Sequence, residues 1–446
     1  MATIRYPQGN VLLRNLSRDY PVITGGRGVW LEDEDGRRYL DASGGAMVVS
    51  VGHGVGEIAE AVRDQLAQVG YVNGTQFTTR VTEELAEGLA ALAPPGLDRA
   101  AFLGSGSEAV EAAVKFVRQL WVERGHPERS VFIARTPGYH GNTLYALSAS
   151  ARPHYRKFFD PLLTDVRMIE APYGYRSPVD YETKGADHYA AALEREILAV
   201  GADRVAAFLF EPVIGSSAGA STPPPGYFEK VTAICRRHGI LMIADEVLCG
   251  SGRTGEFFAS KHYGLEPDLI VLGKGLNGGY AALSAVLVRS AHVEEMRRGS
   301  GYFMHAQTYL QAPCMTAAGL AVLRYMRKHD VLENARSSGA YLHERLRAEI
   351  LPLAPVGNVA GLGCLAGVEF VADRATKRPF PRAEKRAEKL LATALENGLT
   401  LWPNVGQADG TNGDLVMLAP PLTITKDEVD ELIARLKSAI LKSFEI

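Results

Sequence analysis

Between about residue 56 and residue 290 the chain alternates between two hydrophobic rhythms. Apolar positions recur at helical spacing over 56–69, over 80–93 and through "SGSEAVEAAVKFVRQLWVERG", which predicts three helices. Short, almost purely apolar runs also occur: "AAFLG", "SVFIAR", "RVAAFLF", "GILMIADE" and "DLIVLG". Runs of that length and purity suit strands buried on both faces, and so a mostly parallel sheet with helices packed on either side. The expected fold class is α/β.

The two ends of the chain follow other patterns. Two β-like runs, 29–32 and 38–41, flank the Asp35-Gly36 turn signal and read as a hairpin. After "LSAVLVRS" comes one long helical stretch over 312–350. It is followed by the strand "GCLAGVEFV", a charged helix over 382–397, the strands "LTLW" and "DLVMLAP", and a closing helix over 426–442. That order suits a smaller α+β domain. At 446 residues the chain is too long for one simple core, so we expect a large domain over 56–320 and a small one over 321–446, with the hairpin segment 1–55 joined to the small one. The charge run "DRATKRPFPRAEKRAEK" reads as a solvated loop and helix face.

Composition narrows the function classes. A formal net charge of -3 leaves no basic excess for a phosphate backbone or an anionic membrane, so no nucleic-acid partner is expected. No segment approaches the roughly 18 apolar residues that a membrane span needs, and the first residues lack a continuous apolar signal-like core. A cytoplasmic location is the expectation. Cys235, Cys249, Cys314 and Cys364 are far apart and form no C-x-x-C pair, which reads as four reduced, packed thiols and no metal cluster.

The chemistry is expected at the carboxyl ends of the parallel strands, where open α/β sheets bind ligands. "DLIVLG" runs directly into Lys274, a cation that burial would penalise if nothing compensated it. "GILMIADE" ends in Asp245, Glu246 and Val247. "RVAAFLF" ends in Glu211, and "SVFIAR" leads to Tyr139 and His140. "AAFLG" leads to Ser105, Gly106 and Ser107 at a helix start, where unpaired N–H groups favour an anion such as a phosphate. Singly, each has a plain alternative: a small-residue turn, packed loop aromatics, or a helix cap at Asp245. Together they describe one ligand, planar and aromatic, with a phosphate at one end, a basic ring nitrogen near a carboxylate, and a carbonyl that a lysine can attack. That ligand is pyridoxal 5'-phosphate.

With these residues in view, the chain resembles the class III aminotransferases of pyridoxal-phosphate fold type I, the group that includes ω-amino acid and amine:pyruvate transaminases. The likeness runs from "WLEDEDGRRYLDASGG" through "GSGSEAVEAAVKFVR", "PGYHGNT" and "EPVIG" to "APPLTITKDEVDEL". Its most specific part is "ADEVLCGSGRTGEFFASKHYGLEPDLIVLGKGLNGGY", which sets Asp245 and Lys274 29 residues apart with "GRTG" between them. The resemblance implies that Lys274 binds the cofactor covalently and then moves protons, and that Asp245 holds the ring nitrogen. It implies that Gly106 and Ser107 bind the phosphate with Ser105 close by, that Tyr139 and Val247 cover the two ring faces, and that His140 and Glu211 support them. It also implies a homodimer, with a tetramer as a further option, in which Thr308 of "HAQTY" reaches the partner's phosphate. The substrates implied are an amine or ω-amino donor and a keto-acid acceptor such as pyruvate.

Departures from that pattern bear on the substrate. Leu248 stands where several relatives carry glutamine, and Ser216 where ornithine-type members carry a gating glutamate. Trp402 falls about where many amine:pyruvate enzymes place a carboxylate-binding arginine, which leaves Arg152 as one candidate for that task. Met47 and Trp402 together suggest a bulky, largely apolar amine. Two rivals remain at this stage. One is an isomerase or decarboxylase using the same cofactor. The other is a nicotinamide oxidoreductase resting on "GSGSEA", which lacks a convincing strand-end acid about 20 residues on and gives Lys274 no task.

Overall fold

A computed structural model describes residues 3–445. Its centre is a seven-stranded sheet in the order Leu97–Leu103, Ser284–Arg289, Leu269–Leu272, Leu241–Asp245, Val205–Phe210, Val131–Thr136, Arg167–Glu170. Six strands share one direction, and Ser284–Arg289 runs against both of its neighbours. The three apolar runs nearest the centre, Val205–Phe210, Leu241–Asp245 and Leu269–Leu272, are buried at every position, as strands covered on both faces must be.

Helices cover those faces. Gly106–Glu123 follows the edge strand and buries Val110, Val114, Val117 and Leu120 on one apolar stripe. The helices expected over 56–69 and 80–93 form as Gly56–Gln68 and Arg80–Ala90. Arg167–Glu170 and the helices Tyr181–Val200 and Tyr227–His238 complete the large layered unit.

Elsewhere the pattern and the structure differ in instructive ways. The single helical stretch over 312–350 is two helices, Pro313–Lys328 and Val331–Arg345, separated at Asp330, whose φ of +48° breaks the right-handed path. The expected hairpin forms as Trp30–Asp33 paired with Arg38–Asp41, and Ile23–Arg27 adds a third strand beside it. "LTLW" divides between two sheets. Leu399–Thr400 lies parallel to Arg38–Asp41, whereas Trp402–Val405 pairs antiparallel with Asp414–Leu418 in the sheet that also holds Leu365–Phe370 and Val356–Leu362. That crossover at Leu401 brings residues from the two ends of the chain together. Lys426–Ser443 closes the chain with a complete capping box between Thr425 and Glu428. No helix among the described residues is long and apolar enough to cross a membrane.

Candidate active site

The carboxyl ends of adjacent parallel strands deliver an acid and an amine to one place. Asp245 is the last residue of Leu241–Asp245 and is 4% exposed. Two contacts hold its carboxylate: Oδ2 lies 2.8 Å from His140 Nδ1, and Oδ1 accepts the Val247 N–H at 3.0 Å. Lys274 follows Leu269–Leu272 after one glycine and opens a single 3-10 turn. A Cβ on Gly273 would stand 3.3 Å from Val247 Cγ1 and 3.6 Å from Gly106 Cα, so these three segments meet closely.

Burial dominates the electrostatics here. Desolvation pushes the Lys274 amine down to about 8, against the opposing pull of Asp245 and Glu211, and the cations Arg152 and Arg253 push the same way as burial. Desolvation raises the Glu211 carboxyl, although it accepts N–H bonds from Gly215 at 2.7 Å and Tyr139 at 3.1 Å. Through that second bond Glu211 fixes the loop that carries Tyr139. The backbone of His140 is fixed as well, its main-chain N–H donating to Ser150 Oγ at 2.8 Å.

The opposite wall is the N-terminus of Gly106–Glu123. Ser105 is its N-cap, with Oγ accepting from Glu108 N at 3.3 Å while Ser284 Oγ donates to the Ser105 carbonyl at 2.7 Å. Ser107 Oγ accepts the Asn142 N–H at 2.9 Å, which ties the Tyr139 loop to the helix. Gly106 and Ser107 line a cavity of about 160 Å³ together with Tyr139, His140, Glu211, Asp245, Val247 and Lys274. Ser105 caps the helix outside that lining. Thr308 is exposed in a turn and also lies outside it.

A second cavity of about 470 Å³ opens on Lys274 and Tyr139. Met47, Arg152 and Trp402 line it, and Ser216 lines both cavities. Trp402 packs against the cluster containing Met47, Leu415 and Met417 while its buried Nε1 has no hydrogen-bond partner. Sequence reasoning did not single out Arg14, His154, Tyr155, Phe158 and Phe159, which also line this chamber. The aromatic density of "HYRKFFD" just after Arg152 was a readable signal for the last three; Arg14 stands in a segment with no periodic pattern.

Comparison with known proteins defines the class first. A solved structure of an (S)-enantioselective omega-transaminase from Thermomicrobium roseum superposes with a TM-score of 0.91 at 35% identity, covering 97% of this chain and 96% of that one. The fold is therefore fold type I of the transaminases. The family model for aminotransferase class-III matches residues 15–440, so the chain belongs to the class III aminotransferases. It is 38% identical to diaminobutyrate–2-oxoglutarate transaminase of Halomonas elongata, over 94% of this chain and 90% of that protein. It is 35% identical to putrescine–pyruvate aminotransferase of Pseudomonas aeruginosa, over 92% of this chain and 88% of that protein. These two relatives differ in their named acceptor, so the acceptor is not set by family membership alone.

Proposed function

We propose that this aminotransferase moves an amino group from a bulky amine or ω-amino donor to a small keto acid such as pyruvate, with pyridoxal 5'-phosphate attached to Lys274. The overall exchange balances without an external oxidant: the donor leaves as a carbonyl compound and the keto acid leaves as an amino acid. The observation that carries the proposal is that Asp245 and Lys274 line one cavity together with a helix N-terminus and a tyrosine.

The residues suit that cofactor. A Cβ on Gly106 would meet Val247 Cγ1 at 2.8 Å, and one on Gly141 would meet Ser107 Oγ at 2.5 Å. Glycine at these two positions lets the backbone close on Val247 and Ser107, beside the helix-start N–H groups and the Ser107 hydroxyl that would hold a phosphate. When bound, the cofactor supplies a protonated pyridine ring that draws electrons from the donor carbon. Asp245, held by His140 and Val247, keeps a ring nitrogen protonated. Tyr139 and Val247 both line the cavity and would cover the two faces of a flat ring. Lys274, as a neutral amine, takes a proton from the donor carbon and returns it. Thr308 would reach the phosphate of the partner subunit in a homodimer.

The test is a donor panel with pyruvate as acceptor, following alanine. Alanine should form with arylalkyl or long-chain amines, with α-amino acids other than alanine poor donors. If ornithine, 4-aminobutyrate or aspartate exceeds every such amine by tenfold in kcat/KM, the proposed donor class is wrong.

A further inference from the structure

Arg152 is a buried charge with no counter-ion in contact; Glu211 acts on it only through space. It is 4% exposed, and among the described residues its guanidinium makes no ion pair and no hydrogen bond, with Nε fully enclosed and unpartnered. What it does contact is aromatic: its Cζ lies 5.3 Å from the Tyr139 ring centroid and 4.8 Å from that of Tyr155. The two rings offset part of the desolvation cost and hold the guanidinium in place, but neither accepts its N–H bonds. Burial already pulls the Arg152 pKa below the ordinary guanidinium value. A buried guanidinium whose N–H groups lack acceptors is costly, and an anion that pairs with it removes that cost.

The surroundings specify that anion. Arg152 lines the 470 Å³ chamber that opens on Lys274, and no aspartate or glutamate is among the residues lining it. A second guanidinium, Arg14, lies at the rim with its Cζ 5.3 Å from the Tyr155 centroid, and it is exposed to solvent. The remaining walls near Lys274, Met47 and Trp402, offer no cation. A planar fork with free N–H donors matches a carboxylate, which it can grip with two parallel bonds.

We propose that Arg152 is the carboxylate anchor of the keto-acid acceptor, a specificity-determining residue that selects α-keto acids over carbonyl compounds lacking the carboxylate. This rests on the reading of the chamber before Lys274 as the substrate site. Arg14 is the outer cation on the approach, too exposed to hold a carboxylate as firmly.

The experiment compares pyruvate with acetaldehyde, which is pyruvate without its carboxylate, in wild type, Arg152→Met, Arg152→Lys and Arg14→Met. The readout is the ratio of the two kcat/KM values. Arg152→Met should reduce that ratio about 10- to 100-fold, the scale of hydrogen bonds to a charged group, and Arg152→Lys by less. Arg14→Met should lower it by less than either. A titration of the holoenzyme with unreactive propionate, followed by calorimetry, should show affinity weakened about 10-fold or more in Arg152→Met. An unchanged ratio with unchanged propionate affinity overturns the assignment. So does an equal loss toward both acceptors with propionate affinity retained, which would make Arg152 a support for Tyr139, or a collapse of the ratio in Arg14→Met alone. If wild type turns over neither acceptor, the reading of the acceptor fails, while the propionate titration of wild type against the two Arg152 variants still decides the anchor.

Discussion

Lys274 combines two unfavourable features at one position: a left-handed backbone, φ +45°, and an amine pushed down to about 8 by desolvation. A non-glycine residue in that region costs on the order of 1 kcal/mol or more, which a fold tolerates where the position itself is useful. The lowered pKa has a direct consequence. At pH 7 about a tenth of such amines are neutral and nucleophilic, against about 0.03% for an ordinary lysine. Capture of pyridoxal phosphate by the cofactor-free protein should therefore rise with pH and level off above a midpoint near 8. A rate that goes on climbing toward pH 10.5 would contradict the low-dielectric setting of Lys274. For Asp245, the expectation follows from its loss of charge: Asp245→Asn should retain cofactor and lose roughly 100-fold or more in kcat, the scale of removing one preorganised electrostatic partner. Full activity in a loaded Asp245→Asn protein would remove it from the mechanism.

Among the elements, the start of Gly106–Glu123 is the most exacting. Gly106 faces Val247 so closely that a methyl group would sit 2.8 Å from Cγ1, and the Val247 N–H in turn donates to Asp245 Oδ1. Gly106→Ala should raise the dissociation constant for pyridoxal phosphate about 10-fold while the protein keeps its fold, the expected scale for disturbing one or two charge-assisted N–H contacts. Equal cofactor affinity in the variant would show that this approach is not needed. The strands that carry Asp245, Lys274 and Glu211 were legible because apolar runs buried on both faces have little alternative to a parallel sheet. The crossover at Leu401 was not. "LTLW" has the composition of one strand, and only long-range pairing with Arg38–Asp41 and Asp414–Leu418 divides it and sets Trp402 at the chamber wall. The same division makes Trp402→Ala a clean probe, expected to widen the amine scope toward larger donors without altering the cofactor's absorption spectrum. An unchanged donor ranking would return Trp402 to a packing role. Arg14 was illegible for a different reason: its neighbours show neither helical nor strand periodicity, and only tertiary placement beside Tyr155 brings it to the chamber.

At the scale of the whole molecule, the segment 302–309 carries several exposed apolar side chains. Tyr302, Met304 and Tyr309 are each at least 64% exposed, and Tyr71 packs edge-on to Tyr309 at 6.1 Å. Thr308, next to Tyr309 in the chain, is itself exposed and lies outside the cavity of its own chain. Exposed apolar area of this kind marks an interaction surface, which supports the proposed homodimer. If Lys274 and Thr308 meet across that interface, subunits altered at Lys274 and at Thr308 should form mixed dimers with one intact site, and tight cofactor binding should return on mixing. No recovery in demonstrably mixed dimers would mean that each chain completes its own site. The capture rate and the subunit exchange both depend on the covalent role given to Lys274. The purified protein, reduced with borohydride in the presence of pyridoxal phosphate and digested, should yield one pyridoxyl-labelled peptide, with the label on Lys274 in "DLIVLGKGLNGGY". A label on any other lysine, or none, would contradict the account.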